Sequence, residues 1–323
     1  MTTYLFDRSQ QQGRLELVDR DRLDLLHRMS TNDFQNLQPG EGRSTVLTTA
    51  LARIIDRVIV YNRGETALLV TNQPAVVRAW LQKHIFFQDK VKIRDVSSAL
   101  GQLELYGPQA AEFAEGFAPG VRNLPVHHFI ETELLGQSAL IAKSFPFGGE
   151  GYSIIIAAAA IDALKAEILK SADIMFGDDS QYERLRIQAG LPGAGHELTE
   201  DYIPLEANLW DSVSFTKGCY IGQEIIARME SRNRLAKTLT RLHLDAVAPL
   251  GATLMSSDRK VGTLTSIATL DDGSVIGLGF VKPDIAESGA TLDVVVDGQV
   301  TAHAEIADPE YNGMLPTERK QDV

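Results

Sequence analysis

The chain has 323 residues, enough for two or three domains. Its formal net charge of −12 argues against broad nonspecific binding to DNA or to an anionic membrane, and its longest apolar run is far too short to span a bilayer. The first residues lack a secretory signal and cysteine use is low, so we expect a cytoplasmic protein that binds neither nucleic acid directly nor a membrane.

The first two thirds of the chain mix strand and helix signals. Strands are expected at residues 15–18, 53–61, 66–71, 91–96, 101–106, 138–143 and 152–156. Helices are expected at residues 20–29, 74–84 and 160–169, and another begins at residue 110. Asp19 is expected to be the N-cap of the first helix. The helix at 160–169 separates the preceding strands from the segment 182–188. Residues 62–65 predict a hairpin turn. This mixture favours an α+β fold over strict βαβ alternation.

The region beyond about Lys237 has a different pattern. Short β-rich segments, at residues 240–244, 260–267, 274–281 and 291–296, alternate with turn residues such as 271–273, and helix signals are nearly absent. This spacing is typical of a small all-β barrel.

Cys219 is the only cysteine, so it acts as a single thiol or has no chemical role. The apolar residues Ile221, Ile225 and Met229 recur at steps of four and predict a helix that begins at or just after Cys219. The positive end of that helix and the nearby Lys217 ammonium would lower the thiol pKa. A buried cysteine that acts as a small hydrophobe is the alternative, and the spacing leaves both open.

A metal site is not expected. The adjacent pair His127 and His128 has no cysteine or acidic partner at a ligand spacing, and His196 is not followed by the second histidine of a zincin helix.

Residues 217–224, Lys-Gly-Cys-Tyr-Ile-Gly-Gln-Glu, resemble the signature of the YgfZ family of folate-binding proteins. That family is related to the aminomethyltransferase (T-protein) of the glycine cleavage system. Weaker similarities occur in the expected order at residues 29–33 (Met-Ser-Thr-Asn-Asp), 37–40, 185–190, 203–209 and 213–216. The resemblance therefore runs from about residue 20 to the C-terminal region.

The resemblance implies an α+β fold: an interleaved two-subdomain aminomethyltransferase-like body with a small C-terminal β-barrel. The body would cover residues 1–236, with a subdomain inserted at about 30–98, and the barrel residues 237–323. It further implies a protein that supports assembly or repair of iron–sulfur clusters in client enzymes, including tRNA-modifying ones. The cofactor would be tetrahydrofolate or a related reduced folate, and Cys219, with Lys217, would supply the reactive thiol.

A folate needs polar partners for its pterin edge, apolar walls for its rings and a cation for its glutamate tail. In this chain we expect Glu206 and Gln188 at the polar edge, Tyr220 as a wall and Arg228 at the tail, with Gln223 as a further contact. The alternative for each is an ordinary core or surface residue.

Three positions depart from the aminomethyltransferase pattern. The enzyme's paired aspartates appear here as Asp56 and Arg57, so the acid linked to catalysis is a guanidinium that cannot accept a proton. A later glutamate appears as Ser153, and another as Gln188. These changes argue against a glycine-cleavage enzyme. A tetrahydrofolate-dependent aminomethyl or methyl transferase stays as the alternative function, and a non-catalytic adaptor that binds no folate as a third.

Overall fold

The structure is a computed structural model that describes residues 2–232 and 234–307. The chain forms two compact units, each assembled from segments that are separate in sequence. The first unit contains residues up to 50, 55–178 and 212–223, and the second contains residues 51–54, 179–211 and those from 224 onward. The end of the expected barrel segment, residues 308–323, lies outside the described residues.

The first unit contains two β-sheets. Its strands are β1 (Thr3–Asp7), β2 (Gly13–Val18), β3 (Gly42–Thr48), β4 (Ile54–Asn62), β5 (Thr66–Thr71), β6 (Lys92–Asp95), β7 (Leu100–Tyr106), β8 (Phe129–Leu134), β9 (Gln137–Ser144), β10 (Gly151–Ala157) and β11 (Ile174–Phe176). One sheet has six strands in the order β11-β1-β7-β10-β9-β8, and the other has five in the order β3-β4-β5-β2-β6. β11 joins β1 in parallel, whereas β7 joins it antiparallel.

Helices cover the outer faces of these sheets. They are α1 (Arg22–Met29), α2 (Pro74–Lys83), α3 (Ala110–Phe117) and α4 (Ile161–Ile168). Alternate residues of β2, Leu15 and Leu17, point into one core with Leu25, Leu26 and Val77 from α1 and α2. A second core lies between the six-stranded sheet and α3 and α4.

The inner faces of the two sheets share a third, smaller core. Tyr61 on β4 and Phe129 on β8 meet edge to face, with ring centroids 5.5 Å apart, and Leu68 and Leu140 pack in the same cluster. The two sheets of this unit therefore pack face to face. Short 3₁₀ turns occupy Val121–Asn123 and Ala158–Ala160.

The second unit contains a closed barrel. Its strands are β12 (Thr238–Leu244), β13 (Thr253–Ser256), β14 (Arg259–Thr269), β15 (Val275–Val281), β16 (Thr291–Val296) and β17 (Gln299–Ala307), in the order β12-β15-β14-β13-β16-β17. Leu242, Leu254, Leu264, Leu292 and Ile306 fill its interior. The helix α5 (Asp179–Gln188) belongs to this unit, as does nearly all of α6 (Gln223–Arg232) and part of the 3₁₀ turn Trp210–Ser212.

The predicted α+β class and the C-terminal barrel are confirmed. Two barrel strands were missed. β13 has only four residues before a turn in which Ser257 and Asp258 have positive φ. β17 places the small residues Ala302 and Ala304 inside the barrel, which makes its apolar alternation weak.

The prediction of Asp19 as N-cap is wrong. Asp19 has a φ of 77°, α1 begins at Arg22, and Asp21 precedes it without a side-chain cap. The Asp21 carboxylate instead accepts a hydrogen bond from the Lys90 amide at 2.7 Å, which ties the start of α1 to the segment before β6. Among the described residues, no helix is long and apolar enough to be a candidate for a membrane span.

Asp56 has a structural role inside the first unit. Its carboxylate is fully buried and accepts hydrogen bonds from the Thr71 hydroxyl, from the Asn72 amide at 2.9 Å and from Asn72 Nδ2 at 3.1 Å. Burial raises the pKa of Asp56, and these hydrogen bonds oppose the rise. The carboxylate therefore fixes the turn that leads from β5 into α2.

We expect Asp56→Ala to lower the free energy of unfolding by about 3 kcal/mol, because it leaves the buried donors of Thr71 and Asn72 without an acceptor. Urea unfolding followed by circular dichroism measures this. The control is Asp162→Ala, which removes an exposed carboxylate paired with Lys165 and should cost less than about 0.5 kcal/mol. Equal stability of the two variants would contradict a structural role for Asp56.

Candidate functional site

Two segments that lie far apart in sequence meet in the first unit. The Thr31 hydroxyl donates to the main-chain oxygen of Ser212 at 2.6 Å, and the Ser214 amide donates to the main-chain oxygen of Thr31 at 2.9 Å. Asn32 is held from the other side, since its Nδ2 donates to the oxygen of Ser44 at 2.9 Å. The Thr-Asn-Asp segment thus supports the segment that leads into Cys219.

Lys217 fastens this junction. Its side chain is buried, and its ammonium donates to three main-chain oxygens: that of His27, that of Ser30 at 2.8 Å and that of Asn32 at 2.7 Å. An ammonium has three N–H donors, so all of them are used. These acceptors include the end of α1 and the loop that follows it.

Burial lowers the pKa of Lys217 to about 8, and Asp33 opposes this change. The three carbonyl oxygens also favour the protonated form, so the side chain carries its charge at neutral pH. The Nζ atom lies 5.0 Å from the centre of the Tyr220 ring, which adds a cation–π contact. The sequence predicted that the Lys217 ammonium acts on the Cys219 thiol. Its contacts are instead three main-chain oxygens and the Tyr220 ring.

Cys219 is exposed to solvent, so the alternative of a buried hydrophobe does not apply. It lies in an irregular segment, and α6 begins four residues later, at Gln223. Between them, the main-chain oxygen of Ile221 accepts a hydrogen bond from the Thr48 hydroxyl at 2.8 Å. The segment is thus anchored at Lys217 and at Ile221, with the thiol on its solvent side.

Arg57 occupies the position where the resemblance implies a catalytic acid. Its Nε donates to the Ser212 hydroxyl at 3.3 Å, and that hydroxyl donates to the Ser44 hydroxyl at 2.9 Å. The guanidinium lies beside the junction of the two segments. Since Asp56 is buried in its own network, neither residue of the pair offers an accessible carboxylate.

A buried carboxylate occurs across the sheet from Ser153. Ser153 pairs in register with Glu104 on β7, and its hydroxyl accepts a hydrogen bond from Ser144 at 3.2 Å. The Glu104 carboxylate accepts from Gln102 Nε2 at 2.8 Å and from the Tyr106 hydroxyl at 3.0 Å. The resemblance implies a glutamate at the position of Ser153 on β10. The structure has an acidic group, Glu104, on the neighbouring strand β7 instead.

The expected folate contacts fall in both units. Tyr220 and Gln223 belong to the first, and Glu206, Gln188 and Arg228 belong to the second. Tyr220 is buried, and its burial raises the pKa of the phenol to about 12. Gln223 is half-buried at the start of α6.

In the second unit, Glu206 is buried, and its Oε2 accepts from the Ile203 amide at 3.2 Å. Burial raises the pKa of Glu206, while that hydrogen bond and the charges of Lys237 and Arg53 oppose the rise.

The other two candidates of this unit are more accessible. Gln188 is half-buried at the end of α5, where its main-chain oxygen accepts from Arg241 at 2.8 Å. Arg228 is exposed and paired with Glu224 at 2.8 Å.

Residues 29–33 carry part of the resemblance, but no role was predicted for them. The sequence does not predict that this segment meets Lys217. The lysine binds main-chain oxygens, and every residue type has one, so the acceptor residues cannot be recognised from their side chains. No group of histidine, cysteine or acidic residues in ranges 2–232 and 234–307 could hold a metal ion.

We expect Lys217→Met to lower the free energy of unfolding by about 3 kcal/mol, because three buried carbonyl groups lose their donor. Cys219→Ser should change it by less than about 0.5 kcal/mol, since the thiol is exposed. Thermal and urea unfolding of both variants measure the difference. A Lys217→Met protein as stable as Cys219→Ser would mean that the lysine does not fasten the junction.

Comparison with known proteins gives consistent results. The family model described as the GCVT N-terminal domain matches residues 2–217. A chloroplastic protein of Arabidopsis thaliana that carries the provisional name of a transferase is 31% identical over 290 residues, covering 88% of this chain and 67% of that protein. An aminomethyltransferase of Nostoc sp. is 27% identical over 315 residues, covering 93% of this chain and 82% of that protein.

The fold also matches a solved structure. The glycine cleavage system aminomethyltransferase T from Bartonella henselae superimposes with a TM-score of 0.83 at 21% identity, over 96% of this chain and 86% of that one. The predicted aminomethyltransferase-like fold is therefore confirmed, and the chain belongs to the GCVT family.

Proposed function

We propose that this protein is a folate-binding member of the GCVT family, of the YgfZ type, that supports assembly or repair of iron–sulfur clusters in client enzymes. These clients include enzymes that modify tRNA, and the compartment is the cytoplasm. One observation carries the proposal: an exposed single thiol lies on a segment held by Lys217, in a chain whose aminomethyltransferase acid is replaced by Arg57.

A reduced folate, such as tetrahydrofolate, is the proposed cofactor. In the second unit, the half-buried amide of Gln188 can donate to and accept from a polar edge, and Arg228 can exchange its Glu224 partner for a tail carboxylate. In the same unit, the buried Glu206 would meet a polar edge. In the first unit, Tyr220 would pack against a ring, and the half-buried amide of Gln223 would donate to or accept from a polar group. Each of these groups suits one part of a folate, and the cofactor would supply one-carbon chemistry or redox protection.

The thiol of Cys219 would act in concert with this cofactor. A single cysteine cannot hold a cluster with the usual four thiolates, so any contact with a cluster is transient or shared with the client. Exposure is what such shared contact requires, since the client's cluster must reach the sulfur.

A tetrahydrofolate-dependent aminomethyl or methyl transferase is the second candidate. The names of related proteins, including the Nostoc aminomethyltransferase, favour it. Arg57 and the buried Asp56 count against it, because no accessible carboxylate at this pair can accept a proton from the substrate amine.

Calorimetric titration of the purified protein with tetrahydrofolate tests the cofactor. We expect one binding site, weakened about tenfold in Arg228→Met, which corresponds to about 1.4 kcal/mol for the lost charge–carboxylate contact. Arg94→Met is the matched control, because Arg94 is also exposed and paired, with Glu16 at 3.6 Å. A protein that gives no binding heat would be an adaptor without cofactor, and an equal effect of the two substitutions would remove Arg228 from the site.

The role of the thiol is tested separately in cells that lack the protein. We expect Cys219→Ser to fold and bind tetrahydrofolate normally but to leave the activity of iron–sulfur enzymes as low as in the deletion. Turnover of an aminomethyl donor with tetrahydrofolate by the purified protein, with unchanged iron–sulfur enzyme activities, would favour the transferase instead.

A further inference from the structure

Two phenyl rings stand exposed on a turn of the first unit. The turn covers residues 86–89, between α2 and β6, and its Phe86 is 58% exposed while Phe87 is fully exposed. Each ring forgoes the free energy that burial of its apolar surface would supply. Because single exposed apolar residues are common on protein surfaces, the pair indicates a contact only together with further features.

The first such feature is that the turn is held in one conformation. The Phe86 amide donates to Asp89 Oδ2 at 2.9 Å, and the Asp89 amide donates to the main-chain oxygen of Phe86 at 3.0 Å. Arg28 donates to the same carboxylate oxygen at 2.8 Å and lies 5.2 Å from the centre of the Phe86 ring. The Lys90 amide is tied to the Asp21 carboxylate. A preformed apolar turn loses little conformational entropy when it binds.

The second feature is the positive charge beside the rings. Lys83, at the end of α2, and Lys90, three positions after Phe87, are both exposed, and in the described part of the chain the side chain of neither forms an ion pair or a hydrogen bond. The Asp89 carboxylate between them is already paired with Arg28. The turn therefore presents an apolar tip beside two unpaired ammonium groups, which is complementary to an apolar cavity with an acidic rim.

The same unit has a cavity between α3 and α4. Its volume is about 350 Å³, and it is lined by Glu112, Phe113, Gly116, Phe117, Glu167 and Ile168. The two phenylalanines pack on the core beneath it. Gly116 leaves the cavity open, because no atom lies within 4 Å of the position where its Cβ would stand. An apolar cavity of about 150 Å³ holds a benzene molecule, so this one has room for a phenyl side chain.

The rim of this cavity is acidic. Glu112 and Glu167 are both exposed. Glu167 is paired with Lys170, whereas no residue that the structure describes pairs with Glu112. The cavity thus combines aromatic walls with at least one unpaired carboxylate, which matches the apolar tip and the free ammonium groups of the turn.

The turn and the cavity cannot meet within one copy of the chain. The turn follows α2, which packs on the outer face of the five-stranded sheet, whereas α3 and α4 cover the outer face of the six-stranded sheet. The inner faces of the two sheets pack on each other, so the two surfaces lie on opposite sides of the unit. Complementary surfaces on different sides of one molecule make a head-to-tail contact between copies.

We propose that the turn of residues 86–89 in one copy of this protein docks into the cavity between α3 and α4 of a second copy. Phe87 enters between the aromatic walls, and Lys83 and Lys90 face Glu112 at the rim. Such a contact repeats from copy to copy, into an open chain or a closed ring. Since each copy carries a net charge of −12, the contact is weak and forms at high protein concentration.

This inference is independent of the proposed function. Neither surface includes Cys219 or a proposed folate contact, so failure of one proposal leaves the other standing.

Sedimentation equilibrium of the full-length protein from about 1 μM to about 1 mM tests the contact. We expect the average mass to rise above that of one chain as the concentration increases. Phe87→Ser should lower the association constant about tenfold or more, because the phenyl ring is no longer buried in the contact. The control is Val300→Ser, which removes a 53% exposed apolar side chain from the barrel and should leave association unchanged.

A change in the cavity should have the same effect as a change in the turn. Gly116→Trp fills the cavity from a helical position with open space around it, so we expect a folded protein that has lost association to the same extent as Phe87→Ser. Gly116→Ala adds only a methyl group and should associate nearly as the unaltered protein does. Circular dichroism confirms that each variant is folded.

A mixture of the two defective variants identifies a head-to-tail contact. Phe87→Ser keeps its cavity and Gly116→Trp keeps its turn, so the mixture should form pairs and no larger species. A mixture that stays monomeric would overturn the proposal, as would association of Gly116→Trp or Phe87→Ser at the unaltered strength. Unaltered protein that stays monomeric over the whole range would also overturn it and would assign the turn to a partner of another kind.

Discussion

A buried ammonium organises the first unit around its candidate site. Removing the Lys217 charge from water is costly, and no carboxylate accepts its hydrogen bonds; three main-chain oxygens do so instead. The acceptors are distributed over the end of α1 and the next loop. The segment that carries Cys219 therefore cannot separate from this loop without leaving a charge and several carbonyl groups unpaired.

This arrangement explains how an exposed thiol can hold a defined position. A surface cysteine on a free loop would sample many orientations, whereas here the main chain is fixed two residues before Cys219 and again at Ile221. Asp33 on the loop after α1 also contacts the imidazole of His27 on α1. At the two positions where the resemblance implies the aminomethyltransferase acids, Asp56 holds a turn, and Arg57 lies beside Ser212 at the junction.

The sequence predicted the fold well where its patterns are local. The Ile- and Val-rich segments of β4 and β5 and the four apolar strands of the barrel were all found, because burial on one or both faces leaves a clear alternation or run. Strands with small or few apolar residues, such as β17, were missed. The N-cap of α1 was misplaced because Asp19 and Asp21 are both suitable residue types, and only the positive φ of Asp19 distinguishes them.

The candidate site was predictable only in part. The octapeptide identified Cys219 and Lys217, but the expected pairing of ammonium and thiol missed the carbonyl acceptors, which depend on a contact between residues some 190 positions apart.

Amide hydrogen exchange in Lys217→Met measures whether the buried ammonium holds the two segments together. We expect residues 27–34 and 213–221 to lose protection together, while the barrel amides and the same segments in Cys219→Ser keep theirs. Unchanged protection of both segments in Lys217→Met would show that the ammonium does not hold them together.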